Sequence, residues 1–178
     1  MARRLISLLL ALAALAPLSS MACNIIYGSD WAFLSKEPAG WKAACGDNAM
    51  DGTALTLWPA DQNPSEVSVA IYVTVSDKGT DTLSSFVVDE VARFRKEAPE
   101  PSLMSLGPIL DVSPTRKMVH VGNSVGGRDE LVEYIEGPTA YYIVVLTTES
   151  PAATERYRGA FDSFLESFTP STVTKGGG

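Results

Sequence analysis

Between Thr139 and Thr148 the chain is apolar at consecutive positions, through Tyr142, Ile143, Val144, Val145 and Leu146. A strand without a polar side needs cover on both faces, so this segment predicts a central strand in a layered domain. The next segment supplies one of the covers. Ser150 and Pro151 form a cap and a first-turn proline, and Tyr157, Ala160, Phe161, Phe164, Leu165 and Phe168 recur at helical spacing until Thr169-Pro170 stops the helix.

The other elements fit around that pair. Val67, Val69, Ile71, Val73 and Val75 alternate with smaller or polar residues and read as a long strand with one buried face. From Asp81 to Ala98 the period changes, and Leu83, Phe86, Val87, Val91 and Phe94 form a helical stripe opposite Asp89, Glu90, Arg93 and Glu97. Shorter strands are predicted at Thr53–Trp58, Leu106–Val112, Lys117–Gly122 and Arg128–Glu136, with turns at Ser113-Pro114 and Gly122–Gly127. The sum is one α+β domain over residues 23–169. A polar, glycine-rich tail over 170–178 is expected to be disordered.

Residues 1–22 are set apart from the fold. Arg3 and Arg4, the apolar run Leu5–Leu18 and the small-x-small site Ser20-Met21-Ala22 have the layout of a signal peptide cleaved near Ala22. The expectation is a periplasmic or secreted protein. Without the two leader arginines, 12 basic and 21 acidic residues leave a net charge of −9. Scattered cations on so acidic a chain argue against nucleic acid and anionic membrane surfaces as partners, and favour basic or neutral ones.

Cys23 and Cys45 are the only cysteines, and in an exported chain an even count predicts a disulfide. Closing that loop contributes about 3 kcal/mol, mainly by restricting the unfolded chain. The alternative is a lipoprotein anchored through Cys23, the one route by which a membrane becomes a partner. Against it, Ser20 stands where a lipobox carries leucine, and Asn24-Ile25-Ile26-Tyr27 is no polar tether.

No motif names a reaction. His120 is the only histidine, it lies mid-strand, and Ser124, the nearest serine, is four residues away along an extended chain, too far for a triad. One histidine and a paired cysteine set leave no tetrahedral metal site, and no cofactor is expected. Asp47–Gly52 lacks calcium ligands at the third and twelfth loop positions, where Ala49 and Trp58 stand. Gly122–Gly127 has phosphate-loop glycine spacing but is followed by Arg128-Asp129 and flanked by strands, so it reads as a turn. Glu130, Glu133 and Glu136 share a strand on which Glu133 points away from the other two, a pattern read as solubility at a half-exposed edge. Trp31, Trp41 and Trp58 sit near turns. They either close one end of the core beside the disulfide or present a binding platform.

The early turn Pro38-Ala39-Gly40-Trp41, the strand Tyr141–Thr147 ending in Leu-Thr, and the aromatic last helix Pro151–Phe168 with its terminal Ser167-Phe168 resemble the PsbP-like superfamily, including the DcrB-like bacterial envelope proteins. The resemblance spans Trp31 to Phe168. It implies a mostly antiparallel sheet with helices packed on it and a non-catalytic accessory role, engaging another envelope protein or peptide. It carries over no catalytic residue. A hydrolase whose site is assembled from distant residues and a carrier of small molecules or lipids remain the alternatives.

Overall fold

The computed structural model describes residues 23–63, 66–97, 104–124 and 126–173; the expected signal peptide and the end of the tail lie outside them. In chain order the elements are β1 (Ile25–Tyr27), β2 (Trp31–Leu34), β3 (Trp41–Cys45), β4 (Leu55–Pro59), β5 (Ala70–Asp77), α1 (Leu83–Glu97), β6 (Ser105–Leu106), β7 (Leu110–Ser113), β8 (Arg116–Gly122), β9 (Asp129–Glu136), β10 (Ala140–Thr148), α2 (Pro151–Ser167) and β11 (Thr169–Thr172). An antiparallel sheet of order β3-β4-β5-β10-β9-β8-β6, with β7 paired to β8, forms the middle layer. A small sheet of order β1-β2-β11 stands apart from it.

The predicted central strand is central. β10 lies between β5 and β9, with Val144 opposite both Val73 and Glu133. Its side chains alternate between two cores. Tyr142, Val144 and Leu146 face α2 and the small sheet, together with Phe33, Ile71, Phe161 and Phe164. Tyr141 and Val145 face α1 with Leu83, Val87, Val119 and Val132. The architecture is therefore α+β in three layers, each sheet face carrying its own helix. Ser150 caps α2 as expected, its hydroxyl accepting from Ala153 N at 3.3 Å.

Four features depart from the sequence reading. Leu106–Val112 is split into two short strands, β6 and β7, around Gly107 and Pro108, because proline cannot donate to a ladder. Trp41–Cys45 is a strand, recruited by pairing along β4 from Trp41↔Pro59 to Cys45↔Leu55. The tail begins later than expected. Thr169–Thr172 pairs with β2, and Phe168, stacked 4.8 Å from Phe33, anchors it there. Finally, β9 is an interior strand between β10 and β8, so its glutamates are not at a half-exposed edge.

The disulfide Cys23–Cys45 is formed, with Cα atoms 6.1 Å apart. It ties the chain just before β1 to the last residue of β3, joining the small sheet to the large one. A sulfur engaged in this bond has none of the free valence a thioether-linked lipid requires. Gly137 shows how closely the layers meet, since a Cβ there would lie 2.4 Å from the Tyr142 ring and 3.2 Å from Pro170.

Candidate functional site

The three tryptophans do not form one surface. Trp41 is buried, edge-on to Tyr157 of α2 at 5.9 Å. Trp31 stacks on Phe33 at 6.2 Å and meets Tyr142 edge-on, on the inner side of the small sheet. Trp58 pairs with Lys42 and so points to the opposite face of the large sheet from Leu55 and Leu57; its Nε1 is buried with no hydrogen-bond partner among the described residues. Trp31, Trp41 and both cysteines all border the core on the α2 side.

The outer face of the small sheet is a different matter. Strand alternation turns Ile26 and Phe33 inward and leaves Ile25, opposite Leu34, and Tyr27, opposite Ala32, facing out. Ile25 is 64% exposed, Tyr27 72% and Leu34 43%. Among the described residues no charged residue stands on this face, whose remaining positions are Thr169 and Ser171 of β11. The hydrogen bonds Gly28 N to Trp31 O (2.9 Å) and Ser35 N to Asn24 O (3.1 Å) set the β1–β2 register. In that register the backbone groups of Ile25 and Tyr27 point to an edge of the sheet on which no further strand pairs among the described residues. The sequence reading passed over this site because Ile25-Ile26-Tyr27 looks uniformly buried until a partner strand fixes which residue turns in.

At the end of the large sheet, where β9 begins, β10 ends and α2 starts, a cleft of about 400 Å³ is lined by Ser105, His120, Asn123, Asp129, Glu149 and Ser150, among others. His120 Nε2 lies 2.9 Å from Asp129 Oδ1. The ring is 49% exposed, while Asp129 is buried. Asp129 Oδ2 accepts from the Thr154 hydroxyl at 2.5 Å. The Thr148 hydroxyl lies 2.7 Å from Thr154 Oγ1 and is also within hydrogen-bond distance of the Asp129 and Ser150 carbonyls, at 3.2 and 3.0 Å. The four groups form a continuous chain from the first turn of α2 to the cleft. The α2 N-terminus favours the carboxylate placed there. His120 stands opposite Leu131, so Asp129 is its diagonal neighbour across the β8–β9 pair. Ser124, by contrast, is buried.

The glutamates of β9 serve as internal charges. Glu133, fully buried on the α2 side, is paired with Arg116 of β8 and keeps Oε2 without a hydrogen bond among the described residues. Burial pushes its carboxyl up, against the lowering effect of Arg116. Glu130, on the α1 side, is likewise raised by burial, and accepts from Thr147 at 3.1 Å. Glu136 bridges to Lys78 at 2.5 Å. Two carboxylates on opposite faces of a sheet cannot flank one glycosidic bond.

No family model matches the chain. No curated protein matches it either. Among solved structures, the solution structure of cyanobacterial PsbP (CyanoP) from Synechocystis sp. PCC 6803 superposes with a TM-score of 0.51 at 18% identity, over 78% of this chain and 85% of that one. A protein of unknown function, PA94 from Pseudomonas aeruginosa, described as a putative regulator, aligns with a TM-score of 0.49 at 14% identity, over 75% of this chain and 84% of its own. The chain has a PsbP-like fold.

Proposed function

We propose that this is an exported accessory protein that works by binding another envelope protein or peptide, and that it does so at the outer face of the small sheet. The observation that carries the reading is the uncharged, apolar set Ile25, Tyr27 and Leu34 exposed beside an open strand edge. An acidic, soluble domain has no structural use for such a face, and its edge carries none of the charges, prolines or bulges that normally block strand addition. The disulfide fits an oxidising compartment. The PsbP-like fold supports an accessory role by analogy alone.

The test is a double variant, Ile25→Ser with Tyr27→Ser, compared with Leu110→Ser, which alters an exposed leucine on a different strand. All three positions are solvent-facing, so stability changes by no more than about 0.5 kcal/mol per site. Proteins co-purifying from an envelope extract are lost with the double variant and retained with Leu110→Ser. Equal recovery from both rejects this face as the binding site.

A further inference from the structure

The cleft at the start of α2 goes beyond this binding reading. An imidazole whose Nε2 faces the buried Asp129 carboxylate carries its proton on that nitrogen, since the carboxylate oxygen can only accept. The neutral ring is thereby fixed as one tautomer, with Nδ1 the free proton acceptor. Asp129 cannot turn away, because Thr154 holds its second oxygen and Thr148 holds Thr154. A half-exposed histidine in a cleft, oriented by a carboxylate that is itself oriented, has the organisation of a general base.

The lining restricts the substrate. Among the described residues that line it there is no lysine or arginine, and two carboxylates, Asp129 and Glu149, border it. A phosphate ester would meet negative charge with no cation to offset it. An uncharged acyl compound meets no such penalty, and a cleft of about 400 Å³ admits a small one.

We propose that this cleft hydrolyses small neutral carboxylic esters, with His120 as the catalytic general base and Asp129 as its positioning residue. Water attacks the acyl carbon while its proton passes to His120 Nδ1. The tetrahedral intermediate then expels the alkoxide, which takes that proton back from the imidazolium, so that acid and alcohol leave and the histidine is regenerated. No oxidant, metal or co-reactant enters the balance.

The chain holds a single histidine, which makes the experiment clean. Hydrolysis of p-nitrophenyl acetate by the disulfide-bonded mature chain is compared with that by N-acetylhistidinamide at equal concentration. The protein reaction is faster by at least about ten-fold and continues past one equivalent of p-nitrophenol per chain. His120→Gln, at a half-exposed position, removes the excess while the thermal transition stays in place. Asp129→Asn lowers kcat and leaves KM unchanged, as loss of a positioning contact to the base requires. p-Nitrophenyl phosphate is not turned over. A rate equal to that of the free imidazole compound, an excess that survives His120→Gln, release that stops at one equivalent, or turnover of the phosphate each overturns the proposal. A stable acetyl group found on Ser105 overturns the water route. None of these outcomes bears on capture at Ile25 and Tyr27.

Discussion

Phe161 is the residue whose truncation most directly tests how the layers are held. It lies on the buried stripe of α2 with Thr154, Phe164 and Leu165, it has no solvent exposure, and it packs in the core that contains Tyr142, Val144 and Leu146 of β10. Phe161→Ala removes the whole ring from a site enclosed by the large sheet on one side and its own helix on the other. Neither can collapse into the void without breaking strand pairing or capping. The expected loss is therefore in the upper part of the range for such changes, about 3 to 5 kcal/mol. For a domain of this size that corresponds to a drop in Tm of roughly 10 °C. Urea unfolding followed by tryptophan fluorescence measures it, with Val88→Ala on the exposed side of α1 as a control expected to stay within about 0.5 kcal/mol. A loss under about 1 kcal/mol for Phe161→Ala, or one matched by the control, refutes the assignment of this face of α2 to the core.

Two further predictions concern bonds and charges. Reduction of Cys23–Cys45 adds two hydrogens to the mass and lowers stability by about 3 kcal/mol, measurable by unfolding with and without reductant; an unchanged midpoint refutes the constraint. Because burial raises the folded-state pKa of Glu133, this group favours folding most below the ordinary carboxylate value, and the benefit is lost as pH rises through the raised one. Glu133→Gln therefore flattens the decline in stability that sets in as pH rises above the ordinary carboxylate range, and a curve parallel to the parent's contradicts the assignment.

What was legible in the sequence depended on how locally each feature is determined. β10 and α2 carry their burial in consecutive side chains and their ends in Ser150, Pro151 and Thr169-Pro170, so pattern and capping alone locate them. β3 and β11 do not. Ala43-Ala44 and Thr169-Pro170-Ser171-Thr172 have no alternation of their own, and they are strands because β4 and β2 offer unpaired edges. The glutamates of β9 were misplaced for a related reason. Leu131, Val132, Tyr134 and Ile135 already make that strand apolar on both faces, but its interior position comes from strand order, which no single segment encodes. The His120–Asp129 pair was hidden by a search along the chain; counting back across the hairpin, instead of forward to Ser124, would have placed the two together.

The small sheet joins the beginning and the end of the fold. β1 and β2 are among the first elements to be synthesised, and β11 is the last. Lys36 N donates to Ser167 Oγ at 2.9 Å across 131 residues of chain. Closure over such a separation comes late, because the entropy of bringing the ends together must be overcome before any contact offsets it. The disulfide, Trp31 and the Tyr142 hydroxyl, which donates to Ala32 O at 2.7 Å, also hold the β1–β2 hairpin on the core, and Phe168 with β11 completes the seat of Phe33. The outer face of the small sheet is thus a product of contacts made across most of the fold, and any change that weakens those contacts disturbs Ile25 and Tyr27 without touching them.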